Sequence, residues 1–133
     1  ISYKGVLTVQ PFANTIAYVD MTGNEVIHYL NEVATKSKDS GAYAQFAGIS
    51  MTVANKQVTN IVIAGKALAL SATYRFTIPS FNAAGGDGYP KITAHPGYVI
   101  TGYVDAEVLK EYIQTHSPLD IADFAPNNEI TYH

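Results

Sequence analysis

Two amphipathic helical stripes set among short β-branched segments constrain this chain more than any other feature. Val26, Ile27, Leu30, Val33 and Ala34 recur at helical spacing, and so do Val108, Leu109, Tyr112 and Ile113. Each set puts one apolar stripe on one helix face, which must be buried against something. The first helix is predicted to start at Thr22. Thr22-Gly23-Asn24-Glu25 fits a capping box, in which the Thr oxygen serves an amide and the Glu side chain reaches back. The second is predicted to be capped by Asp105 and ended by Ser117-Pro118. Around these, strands are predicted over residues 5–10, 15–20, 48–53, 58–64, 73–78 and 98–104. A short edge strand is expected over Ile130–Tyr132. The first two strands are expected to pair as a hairpin through Pro11-Phe12-Ala13-Asn14, and the 48–53 and 58–64 strands through Ala54-Asn55-Lys56-Gln57. There is no regular βαβ alternation. The expectation is therefore α+β: one layered domain of mixed β-sheet with two main helices, over residues 1–133.

The 133 residues suffice for one core without staples. There is no cysteine, which excludes a thiol nucleophile, a zinc ribbon, an iron–sulfur site and a disulfide. Eight basic against eleven acidic residues, with Arg75 the only arginine, give a net charge of −3. That balance lacks the clustered cations that phosphate neutralisation along a nucleic acid requires. No run of about twenty apolar residues is available to span a bilayer, and no signal peptide is visible. The chain starts at Ile1, and it reads as a fragment of something longer.

The segment richest in chemistry is Ser80-Phe81-Asn82-Ala83-Ala84-Gly85-Gly86-Asp87-Gly88-Tyr89-Pro90, within a Gly/Pro-rich connection over residues 79–97. Three glycines around one aspartate permit positive φ and close backbone approach. A carboxylate held at such a bend suits two neighbouring sugar hydroxyls. Phe81 is either a ring displayed for stacking or a core residue, and Asp87 either a ligand or a turn cap. Phe12 is likewise either a cap over the core or a displayed ring. One lone carboxylate does not make a calcium loop, and no Gly-Lys-Ser/Thr follows to make a phosphate loop. The histidines do not form a metal set. His28 is within helical reach of Glu25 and Glu32, His95 precedes Pro96, His116 ends the second helix and His133 is terminal. No nucleophile elbow is present.

The run Phe81–Pro90 resembles the signature loop in the C-terminal domain of the 5′-nucleotidase family, in particular its bacterial periplasmic 5′-nucleotidase/UDP-sugar hydrolases. Val9–Asn14, Met21-Thr22-Gly23, Ser40-Gly41-Ala42-Tyr43 and Asp105–Lys110 follow the family in the same order, so the resemblance covers essentially the whole chain. It implies that Phe12 and Phe81 sandwich a nucleobase, that Asp87 binds ribose hydroxyls, and that Asn14 and Gly41 line the base pocket. It also implies that the substrate-binding arginines and a two-metal centre lie upstream, the latter in a separate N-terminal domain whose two divalent ions perform the hydrolysis. No cofactor is expected in this domain itself. Its implied partners are a nucleotide or nucleoside and that N-terminal domain, with no nucleic acid and no membrane span. The isolated chain is then expected to be inactive, and the parent periplasmic or secreted. One departure stands in the first turn, where the family usually has glycine and this chain has Ala13; if that position needs positive φ, alanine is strained. The competing reading is a non-enzymatic extracellular module whose aromatic loops hold a sugar or a protein.

Overall fold

A computed structural model describes residues 1–125 and 127–132. His133, read above as terminal, lies outside them. In chain order the elements are α1 (Tyr3–Val9), β1 (Thr15–Thr22), α2 (Gly23–Val33), β2 (Ile49–Ala54), β3 (Gln57–Ile63), β4 (Lys66–Ala67), β5 (Thr73–Pro79), α3 (Ser80–Ala83), β6 (Tyr98–Val104), α4 (Asp105–His116) and β7 (Ile130–Tyr132). Short 3₁₀ turns cover Gly86–Gly88 and Ile121–Phe124. The class is α+β as expected, and α2 and α4 are the two main helices. The strands divide between two sheets, one of order β5-β1-β6 and one of order β4-β3-β2-β7. The second sheet is mixed, because β7 lies parallel to β2 while its other pairs are antiparallel.

Strand β1 organises the first sheet. Its alternation is strict: Ala17, Val19 and Met21 point into the core and are buried, while Ile16, Tyr18 and Asp20 face outward and are half-buried. Directly opposite Asp20 on β5 stands Arg75. Its Nε and Nη2 donate to the two Asp20 carboxylate oxygens at 2.8 and 3.0 Å. The guanidinium also lies over the Tyr18 ring, 4.1 Å from its centroid. The Arg75 hydrogen bond holds the Asp20 carboxyl below the usual carboxylate range. Helix α2 lays Val26, Tyr29, Leu30 and Val33 against this sheet, and Met51, Val53, Val58 and Ile61 close the same core from the second sheet. The β2–β3 turn falls where expected, with Asn55 and Lys56 both at positive φ.

The segment over residues 5–10 is not a strand, and the expected hairpin with β1 does not form. Both edges of β1 are occupied, by β5 and by β6, so no ladder position is left for it. Ser2 caps the segment as a helix instead, its Oγ accepting from the Gly5 amide at 3.1 Å. Only Val6 of this helix is buried. Helix α1 rests on α4, where the Tyr3 hydroxyl donates to Glu107 and Lys110 sits over the Tyr3 ring. A second correction concerns α4. Its cap position is Val104, and Asp105 is the first helical residue, its Oδ1 accepting from the Ala106 amide at 2.7 Å. The long 79–97 connection is also more structured than expected, since it contains α3 and the Gly86–Gly88 turn.

The capping box at α2 is present, and Glu25 does more than close it. One carboxylate oxygen accepts from the Thr22 amide at 3.0 Å, and the other lies 2.7 Å from His95 Nε2. His95 Nδ1 faces the Gly97 amide at 2.9 Å. An amide can only donate, so Nδ1 is the acceptor and Nε2 carries the proton that Glu25 receives. Glu25 therefore ties the start of α2 to the far stem of the 79–97 connection, rather than pairing with His28, whose ring contacts the Asn24 carbonyl. The Thr22 amide foremost, then His95, holds the Glu25 carboxyl below its ordinary value of 4.5. A depressed carboxylate contributes stability above its unfolded-state pKa and loses it as pH falls through the folded one. Far-UV circular dichroism at stepped urea should thus show stability declining as pH drops below about 4.5. Glu25→Gln should flatten part of that acid limb, whereas an unchanged slope would mean that this carboxylate contributes nothing to it.

Candidate functional site

The site is assembled from two turns that are distant in sequence. In the first, Pro11–Asn14, Phe12 is 83% exposed. In the second, at the start of α3, Phe81 is 54% exposed. Of the alternatives open to each ring, display rather than burial is what the structure has. Asn14 joins the turns. Its Oδ1 accepts from the Phe81 amide at 3.1 Å, and the neighbouring Thr15 amide donates to Ser80 Oγ at 3.1 Å. The reason lies in helix-end chemistry. The first amides of a helix have no partner within it. Pro79 precedes α3 and supplies no side-chain cap, so Asn14 caps the helix from across the sheet. The Asn14 carbonyl also accepts from the Asp105 amide at 2.8 Å, serving the first residue of α4 in the same way.

Glycines then shape the approach from Phe81 to Asp87. Gly86 has no space for a side chain, because a Cβ there would lie 2.5 Å from the Phe81 ring. Asp87 takes φ 59° and is flanked by Gly85 at φ 100° and Gly88 at φ 74°. Left-handed residues at Gly85, Asp87 and Gly88, with Gly86 between the first two, leave Asp87 exposed, where its carboxylate accepts no hydrogen bond from the described residues. Ala13, the departure in the first turn, does sit at positive φ, 53°.

Asp87 and Gly41 share the rim of a cleft of about 710 Å³. Its floor is apolar, built from α2 and β5 by Val26, Leu30, Phe76 and Ile78, among others. Two residues that sequence reasoning did not single out as site residues hold this rim. The Tyr89 hydroxyl donates to the Ala42 carbonyl at 2.8 Å, and Lys36 Nζ donates to the Gly88 carbonyl at 2.9 Å. Tyr89 belongs to the Phe81–Pro90 run, but no local pattern pairs it with Ala42. Phe12, Phe81 and Asn14 do not line this cleft, so the predicted residues form two adjoining groups: Phe12, Asn14 and Phe81 around the Asn14 tie, and Asp87 with Gly41 at the cleft rim. Gly86, packed against Phe81 and preceding Asp87, connects them. Among the described residues, no three His, Asp or Glu side chains come together to hold a metal ion. The divalent ions that the resemblance implies therefore find no ligand set here. No helix among these residues is long and apolar enough to cross a membrane.

The family model for the 5′-nucleotidase C-terminal domain matches residues 1–94. A 5′-nucleotidase of Vibrio vulnificus is 70% identical over 132 residues, covering 99% of this chain and 24% of its own length. Protein UshA of Escherichia coli is 51% identical over the same span, again at 99% and 24%. The chain thus spans about a quarter of the length of these curated relatives. Among solved structures, a 5′-nucleotidase precursor from Thermus thermophilus superposes with a TM-score of 0.78 at 25% identity, covering 99% of this chain and 28% of that one. The NAD nucleotidase of Haemophilus influenzae superposes with a TM-score of 0.81 at 19% identity, covering 100% and 26%, a likeness that speaks to fold alone.

Left-handed backbone costs an alanine roughly 1–2 kcal/mol, part of which glycine returns as unfolded-state entropy. Ala13→Gly should therefore stabilise the domain by about 0.5–1 kcal/mol, read as a raised urea midpoint at constant slope. A lowered midpoint would show that the alanine methyl makes contacts worth more than the strain.

Proposed function

The chain belongs to the family of 5′-nucleotidase C-terminal domains, and on that premise we propose that it is the nucleoside-recognition part of a longer nucleotide phosphohydrolase. In this reading Phe12 and Phe81 take the nucleobase between their rings. The Asp87 carboxylate accepts from the ribose hydroxyls, while Asn14 and Gly41 line the base pocket. The observation that carries the reading is the exposure of the two phenylalanines, at 83% and 54%, on turns bridged by the Asn14 side chain. Leaving such a ring in water forgoes roughly 1.5–3 kcal/mol of burial, and a stacked base would recover ~1–3 kcal/mol by alanine-substitution scales. Stacking tolerates any base, so discrimination is expected to rest on polar groups at the rim.

Hydrolysis of the phosphate ester is proposed to belong to an N-terminal metal domain of the parent, because the residues described here offer no ligand set for two divalent ions. When bound there, such ions would supply the activated water and the charge that polarises the phosphate. This chain's own part is to bind and orient the nucleoside. Isolated, it is expected to be inactive, and the parent periplasmic or secreted.

The test is an NMR titration of the chain with adenosine and with uridine, in the unaltered form and as Phe81→Ala. Weak binding of both, with shifts at Phe12, Phe81 and Asp87 that the substitution abolishes, is the expected result. Absence of shifts at millimolar nucleoside, or shifts indifferent to the substitution, would contradict the reading and favour an extracellular module that binds something else.

A further inference from the structure

We propose that Tyr89 and Lys36 form a clasp that sets the distance between Asp87 and Gly41, and so act as positioning residues for the ribose side of the nucleoside site; this rests on the nucleoside reading above. Asp87 is itself left-handed, in a short 3₁₀ turn with glycines on both sides. Such a turn has few side chains of its own with which to fix its aim. Two hydrogen bonds from outside do it instead. From the exit of α2, Lys36 Nζ reaches the carbonyl of Gly88, immediately after Asp87. A Cβ at Gly88 would lie 3.0 Å from that ammonium, so the glycine also makes room for it. One residue further, the Tyr89 ring packs against the core and its hydroxyl reaches the Ala42 carbonyl, immediately after Gly41. The two ends of the clasp thus grip the residues next to the two rim positions. Lys36 Nζ lies 5.9 Å from the Tyr89 ring centroid, which links the two grips to each other.

The charge arrangement fits a tyrosine that stays a donor. Burial, then the Asp87 carboxylate, raises the Tyr89 pKa above its ordinary value. A phenol pushed above its ordinary value stays protonated at neutral pH, and the bond to Ala42 is kept. Among the described residues Lys36 pairs with no carboxylate; its ammonium holds the Gly88 carbonyl, and a norleucine-like side chain in its place would keep the packing of the stem while losing the grip.

The distinguishing experiment compares adenosine with 2′,3′-dideoxyadenosine, which lacks the hydroxyls that Asp87 would accept from. NMR titrations would be run on the unaltered chain, Tyr89→Phe, Lys36→Met and Phe81→Ala. Tyr89→Phe and Lys36→Met should each weaken adenosine binding about threefold to tenfold, the scale of one lost hydrogen bond. Both should leave dideoxyadenosine binding within about twofold, so that the ribose preference collapses. Equal weakening of both ligands would overturn the proposal, because a general loosening of the domain does not distinguish ribose from dideoxyribose. Unchanged affinity for both ligands in both variants would overturn it too, while a Phe81→Ala loss would leave the base-stacking reading standing. If the unaltered chain binds neither ligand, or binds both equally whatever stands at position 81, the nucleoside reading fails and the clasp fails with it.

Discussion

Asn14 is the residue on which the arrangement of this site depends. It immediately precedes β1, the strand that both neighbours of the first sheet pair with. From there its side-chain oxygen caps α3 and its carbonyl receives the first amide of α4. Both helix starts would otherwise leave orphan amides, and neither has a capping side chain at its own N-cap position, since those residues are Pro79 and Val104. One residue thus fixes three things at once: the turn that displays Phe12, the turn that displays Phe81, and the departure of α4. The Phe81 amide lies at the surface, so this tie has the scale of an ordinary helix cap, about 1 kcal/mol, and it favours the pairing of the two turns by that amount.

The rest of the site is held in the same manner, by long-range polar ties laid over an apolar frame. The frame comes from β1, α2 and the second sheet, and it gives no instruction about where an exposed loop should stand. Glu25 and His95 anchor the far stem of the loop to the cap of α2, and Lys36 and Tyr89 anchor its middle. Between these ties the backbone is left-handed at Gly85, Asp87 and Gly88. Glycine-rich sequence and external anchoring go together here: the sequence makes the conformation accessible, and the ties select it.

Much of this was legible from local chemistry and some of it was not. The capping box at Thr22–Glu25, the Asn55-Lys56 turn and strands β1, β2, β3, β5 and β6 are written in neighbouring residues, and they stand where the pattern puts them. Strand β4, only two residues long, carries no such pattern. The stretch over residues 5–10 misleads because its β-branched residues suit a strand, whereas its fate is decided by β1 having no free edge and by Ser2 upstream. Propensity is a weak prior against such tertiary occupancy. Composition left Phe12 and Phe81 between core and display; only the structure separates these, by their exposure. The resemblance drew attention to Ala13, and its φ of 53° gives that departure a physical meaning. The ties from Tyr89 to Ala42, from Lys36 to Gly88 and from Glu25 to His95 span 47, 52 and 70 residues. No local pattern encodes pairs that far apart.

If the two aromatic turns are one unit because Asn14 caps α3, the Phe81 amide must depend on that side chain. Amide hydrogen exchange can be followed at Phe81 by NMR in the unaltered chain and in Asn14→Ala. The Phe81 amide should be protected well beyond its unstructured rate, with that protection lost in the variant while the amides of β1 and α2 keep theirs. A Phe81 amide that exchanges freely in the unaltered chain, or one that stays protected without Asn14, would contradict it.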